Sequence, residues 1–306
     1  MKDSIRWRLA YICLMLFLVP FAILPISVSE RFGKQIGKLL KAILPKWNRV
    51  GIETISGRME YLKKHPLWTS GDIQPKDIID QIFANAGVFL AELARLYFGM
   101  EKDLMDKVEI RGIEYYKTAH ARGRGIIGVT AHSGNWELMA LTFGAKIHPV
   151  AVVARNMKKG YFDSVLERIR LQHGNRVIYR DSGVKEMLLF LKENGILGIL
   201  PDQVVRPPHG ILADFIGSPA WTTVMPAKLA IKTGCAILPF FTHRENGRNI
   251  ITIYPEIEIT ADGNEAERIL DGTLKMNRAI GEHIIRHPAQ WNWLYKRWRD
   301  TELGGA

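Results

Sequence analysis

His132 and Glu137 close the run His132-Ser133-Gly134-Asn135-Trp136-Glu137, a histidine and a carboxylate five residues apart on one short turn. Imidazole exchanges a proton near neutral pH. A carboxylate within reach fixes the ring tautomer, so that the second nitrogen can take a proton from a substrate hydroxyl. The result would be a protease-like triad in which the acceptor's own hydroxyl replaces the serine. We therefore expect His132 as the base and Glu137 as the group that orients it. Gly134 is expected to leave room for substrate, and backbone N–H groups at the following helix start to stabilise an oxyanion. A lone histidine before a helix, or a glutamate in a first turn where the dipole favours an anion, is ordinary without such context.

The context comes from the flanking elements. Gly125-Ile-Ile-Gly-Val-Thr-Ala131 reads as a buried strand and Leu138 to Gly144 as a helix, with Ser133 or Asn135 as its cap. His132 then lies at a strand's C-terminal end, the edge at which open α/β sheets bind ligands. Asp202 and Gln203 follow an apolar run at 196–200 and belong to the same edge, where they are expected to contact a hydroxyl or a sugar. Further strands are predicted at 108–113, 147–154, 176–179, 236–241 and 249–255. Helices are predicted at 51–63, 75–98, 114–122, 160–172, 182–193, 221–234 and 264–286. This alternation implies an α/β fold with a mixed, mostly parallel sheet flanked by helices.

The N-terminus has a different texture. Leu9 to Val28 are twenty residues without a charge, roughly 30 Å if helical, which suits a membrane-anchoring helix kinked at Pro20 and Pro25. A cleaved secretory signal ending near Ser27-Val28-Ser29 is the competing reading. After the run, Arg31, Lys34, Lys38 and Lys41 share one helical face, while Phe32, Ile36, Leu39, Leu40, Ile43 and Leu44 share the other. That is the pattern of an interfacial amphipathic helix. The expected organisation is an anchor at 1–30 and a catalytic domain at 31–306, with helix 31–44 at its membrane side. The basic excess after the anchor places that domain on the cytoplasmic side. The net charge of +11 implies anionic partners: acidic lipid, an acidic carrier protein or nucleic acid. Arg286, Lys296, Arg297 and Arg299 form a second basic cluster, and Trp291, Trp293 and Trp298 beside it suit a membrane interface. Nothing else supports nucleic acid. Two distant cysteines make a disulfide framework improbable, and no H-E-x-x-H or paired-cysteine motif supports a metal hydrolase. A membrane scaffold without catalysis is the non-enzyme alternative.

The H-x-x-x-x-E element with a basic, apolar N-terminus resembles the lysophospholipid and lipid A biosynthesis acyltransferase superfamily. Ile199-Leu-Pro-Asp-Gln203, Gly210 and Asp214-Phe-Ile-Gly-Ser-Pro-Ala-Trp-Thr222 are similar to blocks of its lauroyl and myristoyl transferase branch. Pro288-Ala-Gln-Trp-Asn-Trp293 resembles that branch's closing signature. The blocks span roughly residues 10 to 299. The resemblance implies an inner-membrane acyltransferase facing the cytoplasm that uses an acyl carrier protein or coenzyme A thioester as co-substrate, without a metal. It also implies substrate-binding roles for Asn135, Asp202, Gln203, Thr222 and a basic residue matching Arg170, with Arg155 as rival. PDQ stands where the glycerol-phosphate branch carries an E-G-T-R-like block, which favours a glycolipid acceptor, most simply a lipid A precursor. HSGNWE is also similar to mannoside acyltransferases of mycobacterial glycolipids, so the sugar stays open.

Overall fold

A computed structural model describes residues 2–155, 161–180, 183–299 and 301, with side chains from Tyr11 onward apart from those of Tyr161 and Phe162. The first residues of the helices predicted at 160–172 and 182–193 lie outside this set, as do the basic side chains before the apolar run. Six helices come first: α1 Lys2–Ile23, α2 Ile26–Ile43, α3 Pro45–Ser56, α4 Met59–Lys64, α5 Pro75–Tyr97 and α6 Lys102–Asp106. The alternating part follows as β1 Glu109–Arg111, α7 Ile113–His120, β2 Ile126–Val129, α8 Trp136–Lys146, β3 Val150–Ala154, α9 Tyr161–Arg170, β4 Arg176–Tyr179, α10 Val184–Lys192 and β5 Ile196–Ile199. The chain ends with β6 Gly210–Asp214, β7 Pro219–Thr223, α11 Met225–Thr233, β8 Ala236–Glu245, β9 Arg248–Ile253 and α12 Glu265–Arg286.

Seven strands form one sheet in the order β1-β9-β8-β2-β5-β3-β4. Only the β8–β9 pair is antiparallel. Strands buried on both sides read as continuous apolar runs, and side chains of β2 and β8 alternate between two cores. Ile126, Leu238 and Phe240 join α5, α7, α8 and α9 on one face, whereas Ile127, Val129 and Phe241 join α10, α11 and α12 on the other. The mixed, mostly parallel α/β sheet is thus as expected. The β6–β7 hairpin forms a separate antiparallel sheet, and its second strand takes residues 221–223 from the helix expected at 221–234, which begins at Met225.

The apolar run 9–28 does not form one continuous rod. α1 stops at Ile23, Pro25 precedes α2, and Ser29 caps the break by donating to the carbonyls of Phe21 and Leu24. Among the described residues no helix is long and apolar enough to cross a membrane. Residue 30, the expected domain boundary, falls inside α2. α1 docks on α5 through Leu18 and Phe21 against Ala91 and Ala94. α2 crosses α5 so closely that a Cβ on Gly33, Gly37 or Gly87 would overlap backbone of the other helix. Glycines, rather than the apolar stripe, make this crossing. Phe32, Leu39 and Ile43 therefore remain 48%, 60% and 61% exposed.

Trp291, Trp293 and Trp298 do not face an interface: all three are buried. Their indole N–H groups donate to Asp202, the Pro288 carbonyl and the Phe215 carbonyl. Arg297 is buried as well, donating to the Trp221 carbonyl and Thr222 Oγ1 beside the Phe215 ring, and burial pulls its guanidinium down to about 10. The C-terminal basic cluster is therefore not one surface patch.

Candidate active site

β2 and β5 are parallel neighbours with Val129 opposite Ile199. Three residues beyond each member of that pair stand His132 and Asp202, so strand register alone brings them face to face at the sheet's C-terminal edge. Asp202 Oδ1 lies 2.8 Å from His132 Nδ1, and Oδ2 accepts the His132 backbone N–H at 2.8 Å and the Trp291 indole N–H at 2.9 Å. The carboxylate therefore holds the neutral ring as the Nδ1–H tautomer, leaving Nε2 with its lone pair. Nε2 lies 3.4 Å from the Gln203 amide nitrogen. Burial disfavours the imidazolium, yet the charge and hydrogen bond of Asp202 outweigh it and hold His132 above its ordinary value; Glu137 adds to this and Arg170 opposes it. Burial likewise pushes Asp202 up, but His132, through charge and hydrogen bonds, and Trp291 bring it below the usual carboxylate range.

This corrects the role expected of Glu137. Its carboxylate is held by Arg170, whose Nε reaches Oε2 at 2.9 Å and whose second nitrogen also contacts Oε1, and by the Trp136 indole at 3.0 Å. The helix geometry explains the change. Asn135 caps α8 by accepting the Leu138 N–H, which points the first-turn Glu137 toward α9 and Arg170 rather than back across the turn. Burial opposes the Arg170 charge, while Glu137 more than restores it.

Of the backbone N–H groups around the turn, several are already engaged. The N–H groups of His132, Ser133 and Gly134 donate to Asp202, Ala131 and Gln290, and that of Leu138 to Asn135. Gly134 has φ +58°, and a Cβ there would meet the Thr242 carbonyl at 2.5 Å, so its missing side chain admits β8 rather than substrate. Behind the turn Asn135 donates to Glu92, which also accepts from Asn249 and pairs with Arg244.

His132 opens into a cavity of about 1550 Å³, larger than the roughly 300–1,000 Å³ of small-molecule sites. Its inner wall is apolar: Phe89, Met139, Phe143, Val150, Ile196 and Phe240. Gly128 of β2 and Gly198 of β5, opposite each other in register, leave this wall without side chains at the sheet's centre. Its other side carries Arg155, Arg170, Arg180, Arg206 and Arg299 with Asp163 and Glu167. Of the residues expected to bind substrate, Arg155, Arg170 and Gln203 line the cavity. Asp202 stands behind His132. Asn135 and Thr222 are not among its lining residues: the first is a buried cap, and the second is buried between Asn277 and Arg297. Trp291 was missed as a site residue because aromatics beside basic residues read as surface. What the sequence did show is that His132 and Asp202 each follow an apolar run closely; the register of β2 on β5 is what pairs them.

Residues 4–300 match the bacterial lipid A biosynthesis acyltransferase family. The chain is 22% identical over 300 residues to a lipid A biosynthesis acyltransferase of Haemophilus influenzae, covering 97% of this chain and 88% of that protein. It is 23% identical to the lipid A biosynthesis lauroyltransferase of Escherichia coli over 92% and 88% of the two chains. It is also 27% identical to a phosphatidylinositol mannoside acyltransferase of Mycobacterium tuberculosis, over 63% of this chain and 60% of the other.

Proposed function

Since the chain belongs to the bacterial lipid A biosynthesis acyltransferase family and is an acyltransferase, we propose that it transfers a fatty acyl chain from an acyl carrier protein or coenzyme A thioester to a hydroxyl of a lipid A precursor at the cytoplasmic face of the inner membrane. The observation that carries this reading is His132, tautomer fixed by Asp202, at the junction of an apolar cavity and an arginine-rich mouth. His132 Nε2 takes the proton of the acceptor hydroxyl as its oxygen attacks the thioester carbonyl. The tetrahedral intermediate expels the thiolate, which leaves with the proton returned from the imidazolium. An ester forms and a thioester breaks, with no change of redox state and no metal needed. The Gln203 amide N–H, beside Nε2, is placed to donate to the carbonyl oxygen as it gains charge. Arg155 and the Arg170–Glu137 pair receive the anionic parts of donor or acceptor, and the apolar wall takes the acyl chain.

Membrane contact is supported by the exposed apolar residues of the first two helices. The Phe21 ring packs against Phe17 and Phe32, and Phe32, Leu39 and Ile43 extend the surface along α2. Arg31, Lys34 and Lys38 are exposed on the same helix, while Lys41 is paired with Asp80. A monotopic attachment through these faces fits better than a single crossing.

The test is to incubate purified protein with a panel of acyl thioesters and lipid acceptors and identify the products by mass spectrometry. A lipid A precursor is expected to be acylated, and His132→Ala to lose about 10²–10⁴-fold in turnover. Acylation of a mannosylated phosphoinositide instead would support the relationship to the mycobacterial enzymes as the guide to the acceptor. Turnover by folded His132→Ala within about threefold of wild type would refute the base.

A further inference from the structure

The segment Gln290–Asn292 runs antiparallel to the catalytic turn. Gly134 N–H donates to the Gln290 carbonyl at 3.0 Å, Asn292 N–H donates to the His132 carbonyl at 3.1 Å, and Ser133 and Trp291 form the bridge between them. Gln290 is itself locked, its amide exchanging two hydrogen bonds with the Arg244 backbone. Trp291, 1% exposed, sends its indole N–H to Asp202 Oδ2 at 2.9 Å. One short stretch near the end of the chain thus grips the backbone of His132 and, through a single side chain, the carboxylate that orients its ring.

We infer that Trp291 is a positioning residue for acyl transfer, its indole N–H fixing the rotation and charge distribution of the Asp202 carboxylate so that the other oxygen meets His132 Nδ1. A carboxylate with one oxygen held by two donors, the His132 backbone N–H and the indole, cannot turn about its Cβ–Cγ bond without breaking both. Its remaining oxygen is then aimed at the ring before substrate arrives, the kind of preorganisation on which proton transfer depends. The indole also draws negative charge toward Oδ2. Without it, more charge faces the ring and the imidazolium is better stabilised. The other charged groups acting on His132 and Asp202 are Glu137, Arg170 and Arg297, and the Trp291 indole N–H donates to Asp202 rather than to any of them.

The inference rests on His132 being the base, so the experiment carries a control for that. Trp291→Phe keeps an aromatic ring in the core and removes the donor. We expect kcat to fall about tenfold with both KM values within twofold, and the acid limb of the pH–kcat profile to move to higher pH, because a more basic His132 stays protonated further up the scale. In an Asp202→Asn background the same substitution should have little further effect on kcat, since no carboxylate is left to charge or orient the ring and the His132 backbone N–H alone keeps the amide oxygen in place. A wild-type profile, or a lower plateau with an unmoved limb and full additivity with Asp202→Asn, overturns the inference. If His132→Ala remains active, the base assignment fails instead. If Trp291→Phe does not fold, the decision passes to the indole N–H resonances of wild type and Asp202→Asn. One solvent-protected indole must shift when the carboxylate becomes an amide, and unchanged indole resonances reject the contact.

Discussion

Asp202 Oδ2 faces two N–H donors while Oδ1 faces His132 Nδ1, and this asymmetry decides what an isosteric amide would do. In Asp202→Asn the carbonyl oxygen must take the Oδ2 position, because an amide NH₂ there would confront two donors. The NH₂ then lies against Nδ1, which is forced to accept, and the ring proton moves to Nε2. The wrong tautomer faces the substrate. We therefore expect Asp202→Asn to keep its fold and affinity but to lose on the order of 10²–10⁴-fold in kcat, comparable to removing the base itself. Single-turnover rates together with nitrogen shifts of the His132 ring check both halves. An active variant with Nδ1 still protonated would contradict the arrangement. Glu137 behaves differently, since its carboxylate is tied to Arg170 and Trp136.

At the scale of elements, glycines decide how the first helices sit. Gly37 lies within α2, where replacement by alanine would ordinarily stabilise by roughly 0.5–1 kcal/mol through helix propensity. Here the added methyl would overlap the Phe83 carbonyl on α5. Overpacking of that kind costs about 1–3 kcal/mol and outweighs propensity, so Gly37→Ala is expected to unfold at lower denaturant than wild type. Gly281→Ala in α12 is the control, because its Cβ would meet only Ile216 at an ordinary 3.4 Å, and it should be neutral or stabilising. A stabilised Gly37→Ala would mean the helices cross less tightly. The same contrast explains what was legible in the sequence. The apolar runs of β2 and β5 announced themselves, and so did the turn after each, because those signals are local. That β2 lies beside β5, and hence that Asp202 rather than Glu137 meets His132, is a non-local fact that no run of residues encodes. The β6–β7 hairpin escaped because Pro219 and the Phe215-Ile216-Gly217 turn break the alternation that marks strands. The tryptophans misled because an indole whose N–H finds an acceptor is as comfortable in a core as at an interface.

For the whole molecule, the net charge of +11 and the exposed apolar residues of α1 and α2 would act on the proposed bilayer by different physics. Apolar insertion is insensitive to salt, whereas attraction to an anionic surface fades beyond a Debye length of about 8–10 Å near physiological ionic strength. Lys34 and Lys38 are exposed on the helix that carries Phe32, Leu39 and Ile43, so the two contributions can be separated on one element. Each lysine near an anionic surface contributes about 1 kcal/mol, so Lys34→Ala with Lys38→Ala should weaken binding to vesicles rich in anionic lipid by roughly 30-fold at low salt. The deficit should shrink steadily as salt rises. Replacing Phe32, Leu39 and Ile43 by serine should instead weaken binding at every salt concentration, and on neutral vesicles too. Because the cavity mouth has its own arginines, neither set should alter turnover on a short-chain, water-soluble thioester and acceptor. Flotation with vesicles of both compositions across a salt series, paired with that soluble assay, measures all of this. Equal loss from both variants at high salt would show that α2 does not meet the bilayer in the orientation its exposed side chains imply.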